Sequence, residues 1–186
     1  MNIEEVALLA WEAIACILIA DFLSGLGHWF EDTYSVPTWP FLGRIIAEPN
    51  INHHINPSEM APTFIGRNWF QLVPACIFLA ILYSFGLLSW QISVVTVFLA
   101  LANETHAWCH MRNKNRLIAF LQEMSLVITV KNHNVHHKDP YTRAYCVITN
   151  WINPIVDRLY LWSFLEYFIS IFGIYPKRGT EERDFV

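Results

Sequence analysis

From Asn68 to Asn103 the chain runs 36 residues without a charged side chain. No other feature limits the fold so strongly. One helix of that length would reach ~54 Å, well beyond a hydrocarbon core of ~30 Å. Two antiparallel helices of about 18 residues fit, with the polar Ser89-Trp90-Gln91 at the hairpin tip. The spacing predicts spans near 69–88 and 91–110. Composition agrees: 54% of residues are hydrophobic and 15% charged, against roughly 25% charged in ordinary soluble domains. A net charge of −4 also argues against a nucleic-acid partner.

An earlier span is expected over about 6–28, although Glu12 and Asp21 interrupt it. An ionisable residue within a span is expensive and points to function. Asp21, the deeper of the two, is the stronger case. The acidic start Met1-Asn2-Ile3-Glu4-Glu5 does not suit a secretory signal peptide, so this helix reads as retained. Residues 116–130 are apolar but too short to cross, and predict an in-plane or re-entrant helix. Residues 155–175 carry Asp157, Arg158 and Glu166 and read as interfacial, with a weak fourth span as the alternative. The expected fold is therefore an all-α integral membrane protein. It has about three transmembrane helices, possibly four, plus in-plane helices, and 1–186 reads as one membrane-embedded domain. The cysteines Cys16, Cys76, Cys109 and Cys146 form no C-x-x-C pair and read as small hydrophobes.

All twelve Lys and Arg lie between the first and second spans (Arg44, Arg67) or after the third (Arg112 through Arg183). The positive-inside rule places both segments in the cytoplasm. The eight histidines follow the same division. His28 ends span one; His53 and His54 lie in the loop after it; His106 and His110 end span three; His133, His136 and His137 follow the short in-plane helix. His106 and His110 are one helical turn apart, on one face. His133-x-x-His136-His137 presents two or three imidazoles together if helical. His53 and His54 diverge on a helix, which suits service to different ions. Imidazole is a ligand for Fe, Zn, Cu and Ni. One tetrahedral zinc needs four ligands, so eight His point to two metals. A single His near a helix end is ordinarily solvated or capping; eight on one face in ligand spacing are a metal site.

The motifs are Asp21-Phe22-Leu23-Ser24-Gly25-Leu26-Gly27-His28-Trp29 with Asp32-Thr33, then His53-His54-Ile55-Asn56-Pro57. Asn103-Glu104-Thr105-His106-Ala107-Trp108-Cys109-His110 follows, then His133-x-x-His136-His137-x-x-Pro140 and Tyr145-Cys146-Val147-Ile148-Thr149. Over about residues 21–168 this set resembles the histidine-rich integral-membrane desaturases. It is most similar to the Kua-type, plasmanylethanolamine desaturase-like lipid desaturases. Asn52, Glu104 and Ala107 depart from the family pattern, where Glu, Gln and Lys are common.

The resemblance implies an O₂-dependent di-iron enzyme that removes two hydrogens from adjacent carbons near the headgroup end of a phospholipid chain. An alkyl ether lipid would become a vinyl ether, as in plasmalogens; desaturation of an acyl chain of phosphatidylglycerol is the alternative. The eight His would hold two irons. Asp21 would accept a ring N–H from one of them, Asn103 would bind iron directly or through water, and Asp32 would cap or orient the loop after His28. The resemblance further implies an external electron donor of the cytochrome b5 or ferredoxin type. It implies a site on the cytoplasmic face of the endoplasmic reticulum membrane in a eukaryote, or of the inner membrane in a bacterium. Competing readings are a hydroxylase on the same metals, a zinc hydrolase (which lacks its H-E-x-x-H motif), and a non-enzymatic metal or haem carrier.

Overall fold

The computed structural model describes residues 1–60, 63–112 and 114–178; Arg183 of the basic tail lies outside them. In chain order the helices are α1 (Ile3–Tyr34), a π-helical turn (Gly43–Ala47), α2 (Glu48–Ile55), a 3₁₀ turn (Pro57–Glu59), α3 (Phe64–Ser84), α4 (Trp90–Ala100), α5 (Ala102–His110), α6 (Arg116–Glu123), α7 (Val130–His136), α8 (Asn153–Arg158) and α9 (Leu161–Ser170). Among the described residues there is no strand. Three helices are long and apolar enough to cross a membrane: Ile3–Tyr34, Phe64–Ser84 and Trp90–His110.

A capping box starts α1. Asn2 Oδ1 accepts the Glu5 N–H at 2.8 Å, and the Glu5 carboxylate accepts the Asn2 N–H at 2.9 Å. At 32 residues α1 is ~48 Å long, so its last turns extend past the ~30 Å core. Cys16, Ala20, Ser24 and His28 form its buried stripe at i,i+4 spacing. Ile14, Ile19 and Leu23 face outward, as a lipid-facing surface requires.

Thr63 Oγ1 caps α3 by accepting the Gly66 N–H at 3.1 Å. The helix stops at Gly86, whose φ of +67° suits a left-handed cap. The Leu87 N–H then closes on the Leu82 carbonyl at 2.9 Å. Ser89 opens α4 by accepting the Ile92 N–H at 3.3 Å. The hairpin turn therefore falls at 85–89, slightly before the expected tip. The second span also begins earlier than 69, because Arg67 and Asn68 are absorbed into α3 by partners on α5. Arg67 grips both carboxylate oxygens of Glu104 at 2.8–3.0 Å, and the buried Asn68 amide donates to the same carboxylate at 3.1 Å. Hydropathy cannot see such a neutralised pair.

α4 and α5 form one span with a break at Leu101. It runs parallel to α1: the Gln91 amide donates to Glu12 at 3.1 Å near one end, and the rings of His28 and His106 lie 5.2 Å apart near the other. α3 returns antiparallel between them in sequence.

Two expected in-plane helices are broken. Residues 116–130 do not form one helix: α6 ends at Glu123, Ser125 takes φ +56°, and Thr129 caps a new helix, α7. Residues 155–175 divide at Tyr160, whose φ is +52°. The six and ten residues of α8 and α9 reach only ~9 and ~15 Å, so neither crosses a bilayer. In α9, Trp162 is buried while Phe164, Tyr167 and Phe168 are exposed, as in an interfacial helix. Of the cysteines, Cys16, Cys109 and Cys146 are buried and Cys76 is exposed on α3; none forms a disulfide.

Between α7 and α8 a non-helical strap, residues 144–150, is buried throughout. Buried backbone outside regular structure must find partners elsewhere. Here side chains supply them. The Asp157 carboxylate accepts the Ala144 N–H at 3.2 Å. The Asn153 amide pairs with both backbone groups of Cys146, at 2.9 and 2.8 Å. Ser24 Oγ accepts the Val147 N–H at 3.3 Å, and Asp21 Oδ1 accepts the Ile148 N–H at 2.9 Å. The strap lies directly against α1 at Gly25, where a Cβ would overlap Cys146 Sγ and its backbone nitrogen. The strap thus locks to α1 one to two turns below His28.

Candidate metal centre

Four segments converge at the end of the bundle where α1 and α5 finish. α1 supplies His28 and Asp32, α2 supplies His53 and His54, α5 supplies His106 and His110, and the α7 segment supplies His133, His136 and His137. Their donor atoms fall into two groups, each with all members within 4.8 Å of one another. One holds His53, His106, His110, His133 and His137; the other holds His28, Asp32, His54 and His136. All eight predicted His are brought together, and the adjacent pair His53-His54 divides between the groups, as its divergence on a helix suggested.

The groups touch: the rings of His28 and His106 lie 5.2 Å apart, and those of His54 and His137 lie 5.0 Å apart. Within the larger group His53 and His137 present Nε2 to Nε2 at 3.2 Å, and His137 and His133 do so at 2.9 Å. Nε2 atoms of His28, His106, His110 and His136, with Asp32 Oδ2, are buried without a hydrogen-bond partner among the described residues. So many orphaned acceptors in one place would be costly by themselves. A pair of cations in their midst resolves the cost, so the residues fit metal.

The strap and the residue just before it fix which nitrogen of two rings is free. His28 Nδ1 faces the Tyr145 carbonyl at 3.1 Å, and His136 Nδ1 faces the Arg143 carbonyl at 3.1 Å. A carbonyl only accepts, so each Nδ1 carries the proton and each Nε2 keeps its lone pair. Those Nε2 atoms lie 3.7 and 3.1 Å from Asp32 Oδ2, and His54 Nε2 lies 3.0 Å from Oδ1. Burial, and then the neighbouring imidazoles, lowers His53 and His137 to about 2 and His133 well below its ordinary value. These rings are therefore neutral and able to ligate.

The carboxylates and the amide differ from their expected places. Asp21 receives no ring N–H. Its two oxygens accept from the Ile148 N–H and the Thr149 hydroxyl. It lies seven residues below His28, about 10 Å along the helix, too far to touch the ring. Asp32 does not cap a loop but joins the donor group, with Asn50 also donating to it at 2.6 Å. Asn103 stands outside both groups; its amide donates to the Arg67 carbonyl at 3.1 Å and ties α5 to α3. Sequence reasoning passed over Arg143 and named Tyr145 only within a motif; their backbone carbonyls set the tautomers. The Arg178 guanidinium bridges Glu166, Thr33 and the Tyr145 hydroxyl, and so holds the strap from its far side.

A cavity of about 730 Å³ opens onto the centre, reaching His28, His53 and His106. Leu23, Ile45, Ile46, Trp69, Phe70 and Leu99 give it apolar walls, and Arg44, Arg67, Gln71 and Asn52 add polar ones. That volume lies within the usual range for ligand sites. A smaller cavity of about 280 Å³ meets Asp32 and His54 on another side.

The lipid desaturase domain matches residues 17–179. The chain belongs to the lipid desaturase family. It is 30% identical over 177 residues to plasmanylethanolamine desaturase 1 of Mus musculus, covering 88% of this chain and 65% of that protein. It is 27% identical over 175 residues to plasmanylethanolamine desaturase of Myxococcus xanthus, covering 82% and 62%. Against fatty acid desaturase 4-like 1, chloroplastic, of Arabidopsis thaliana it is 28% identical over 179 residues, covering 91% and 60%. The chain thus spans just under two thirds of the length of these relatives. No solved structure matches it. In this lipid desaturase chain one departure from the family pattern has a local logic: Glu104 is the anchor for Arg67, Asn68 and Trp108.

Proposed function

We propose that this chain is an O₂-dependent di-iron lipid desaturase that introduces a double bond near the headgroup end of a phospholipid chain. The carrying observation is the pair of touching donor groups, five imidazoles beside three imidazoles and a carboxylate, at the foot of an apolar-walled cavity. Eight imidazoles and one carboxylate suit a borderline divalent metal, and membership of the family supports iron. When bound, two irons supply from O₂ the strong one-electron oxidant that an unactivated C–H bond requires.

The protein's own residues do the remaining work. The carbonyls of Tyr145 in the strap and of Arg143 just before it hold the ring tautomers, and Asp32 offsets the charge that imidazoles leave uncompensated. The cavity walls hold one chain beside the centre and keep water away. In the overall change, adjacent carbons lose two hydrogens and become a C=C bond. O₂ takes up those hydrogens with two further electrons and two protons and leaves as two waters. The electrons come from an external donor of the cytochrome b5 or ferredoxin type. Lys138, Arg143 and Lys177, at the same end as the centre, offer it a basic face.

Two relatives carry the name plasmanylethanolamine desaturase, which favours an alkyl ether phospholipid converted to its vinyl ether. The chloroplastic relative named a fatty acid desaturase keeps acyl-chain desaturation as the second reading. Product analysis tests both. Purified protein with iron, O₂, a reducing system and an alkyl ether phospholipid is expected to yield a product short of two hydrogens, with an acid-labile vinyl ether. An alkene in the acyl chain would support the second reading; a product with an added oxygen would make it a hydroxylase. The positive-inside rule supports a centre on the cytoplasmic face. Cysteines at positions 2 and 138 should then label from opposite sides of the membrane; labelling from one side would refute the orientation.

A further inference from the structure

Along the spans the large cavity is lined by Leu23, Trp69, Phe70 and Leu99 together with the polar Ser24, Gln71 and Asn103, and its wall also carries two arginines, Arg44 and Arg67. They are not equivalent. Arg67 is neutralised by its two-oxygen grip on Glu104. Arg44 sits on the π-helical turn after α1, exposed, and among the described residues it makes no ion pair or side-chain hydrogen bond. Glu31, the one carboxylate among the described lining residues, is not in ion-pair range of it. The turn that carries Arg44 packs closely on the loop that follows α1: a Cβ at Gly43 would overlap the Pro37 backbone. The cavity wall therefore presents one uncommitted guanidinium on a closely packed turn, with Ile45 and Ile46 beside it in the same wall and His28, His53 and His106 lining the same cavity.

From this juxtaposition we infer that Arg44 binds the phosphodiester of the substrate lipid, and so sets which carbons of the chain reach the metal centre. A guanidinium pairs with phosphate oxygens in a fork and stays charged at any physiological pH. A phosphodiester at Arg44 holds the glycerol end at the cavity wall and leaves the first carbons of one chain toward His28, His53 and His106. The far ends of the chains stay in the bilayer. Regiochemistry near the headgroup then follows from a fixed anchor at one end rather than from the length of a tunnel. Arg44 in this account is a specificity-determining residue that touches substrate but not the reacting carbons. The inference rests on the reading that the substrate is a phospholipid.

The test uses the full chain in nanodiscs, with three variants, Arg44→Gln, Arg44→Lys and Arg44→Glu, and two substrates. One substrate is the ether phospholipid; the other is the same lipid without its phosphate headgroup. A charge-assisted pair of this kind predicts that Arg44→Gln raises KM for the phospholipid by about tenfold to a hundredfold. The kcat and the bound metal should stay near wild type. Arg44→Lys should recover most of the loss, and Arg44→Glu should be worse than Arg44→Gln. The headgroup-free lipid should show a high KM in wild type that Arg44→Gln does not raise further. An unchanged phospholipid KM in Arg44→Gln, or an equal rise for both lipids, would overturn the inference. A photoactivatable phospholipid gives a readout without turnover. Cross-linking that falls in Arg44→Gln supports the inference even where the desaturation reading fails. Cross-linking equal in wild type and variant, or none in either, overturns it.

Discussion

Asp32→Asn is expected to leave the chain folded but to lower bound metal from two ions to one, and turnover by about a hundredfold or more. Asp32 is the only carboxylate in either donor group and faces three imidazoles, those of His28, His54 and His136. The Asn isostere keeps the hydrogen-bonding shape on one side but presents a neutral amide to a cation. Removing groups that merely support a ligand costs roughly 10- to 100-fold in metal affinity or activity, so loss of a ligand belongs at or beyond the upper end. The five-imidazole group has no carboxylate and should keep its ion. Metal analysis of the purified variant checks this. Two ions retained in Asp32→Asn would remove Asp32 from the centre and return it to a loop-orienting role.

The second large effect is structural. Asp21→Leu should destabilise the protein by about 2–5 kcal/mol, since it strands the buried Ile148 N–H and Thr149 hydroxyl. Asp21→Asn should cost less, because one amide oxygen still accepts. The damage should spread to the centre. The strap that Asp21 anchors carries the Tyr145 carbonyl that holds His28 and directly follows the Arg143 carbonyl that holds His136, so metal affinity should fall although Asp21 touches neither ring. Thermal unfolding in detergent with parallel metal titration reads both effects. A stable Asp21→Leu with wild-type metal affinity would show that the strap does not need this anchor.

The spans were legible because a 36-residue uncharged run admits few folds. The His set was legible because i,i+4 and H-x-x-H-H spacings put imidazoles on one face whatever the tertiary structure. His28-x-x-x-Asp32 has the same one-turn spacing as His106-x-x-x-His110, so the place of Asp32 was readable too, had the carboxylate been weighed as a ligand. The break of 116–130 was not readable, since hydropathy does not register a left-handed Ser125. Least legible was the strap. Asp157 and Asn153 nearby satisfy part of its backbone, but the rest depends on Asp21, Ser24 and His28, 117–127 residues away in sequence. No local pattern encodes partners at that distance. Asp21 was singled out for being costly in a span, and that cost is offset by a strap that only the folded chain brings to it.

The central claim is a two-metal centre built from eight imidazoles and one carboxylate. Elemental analysis of the purified full chain tests it most directly. The account predicts two irons per chain, both lost when His106 and His136 are replaced together by Ala, one from each donor group. One tightly held zinc per chain, or a metal-free protein that still desaturates lipid, would contradict it.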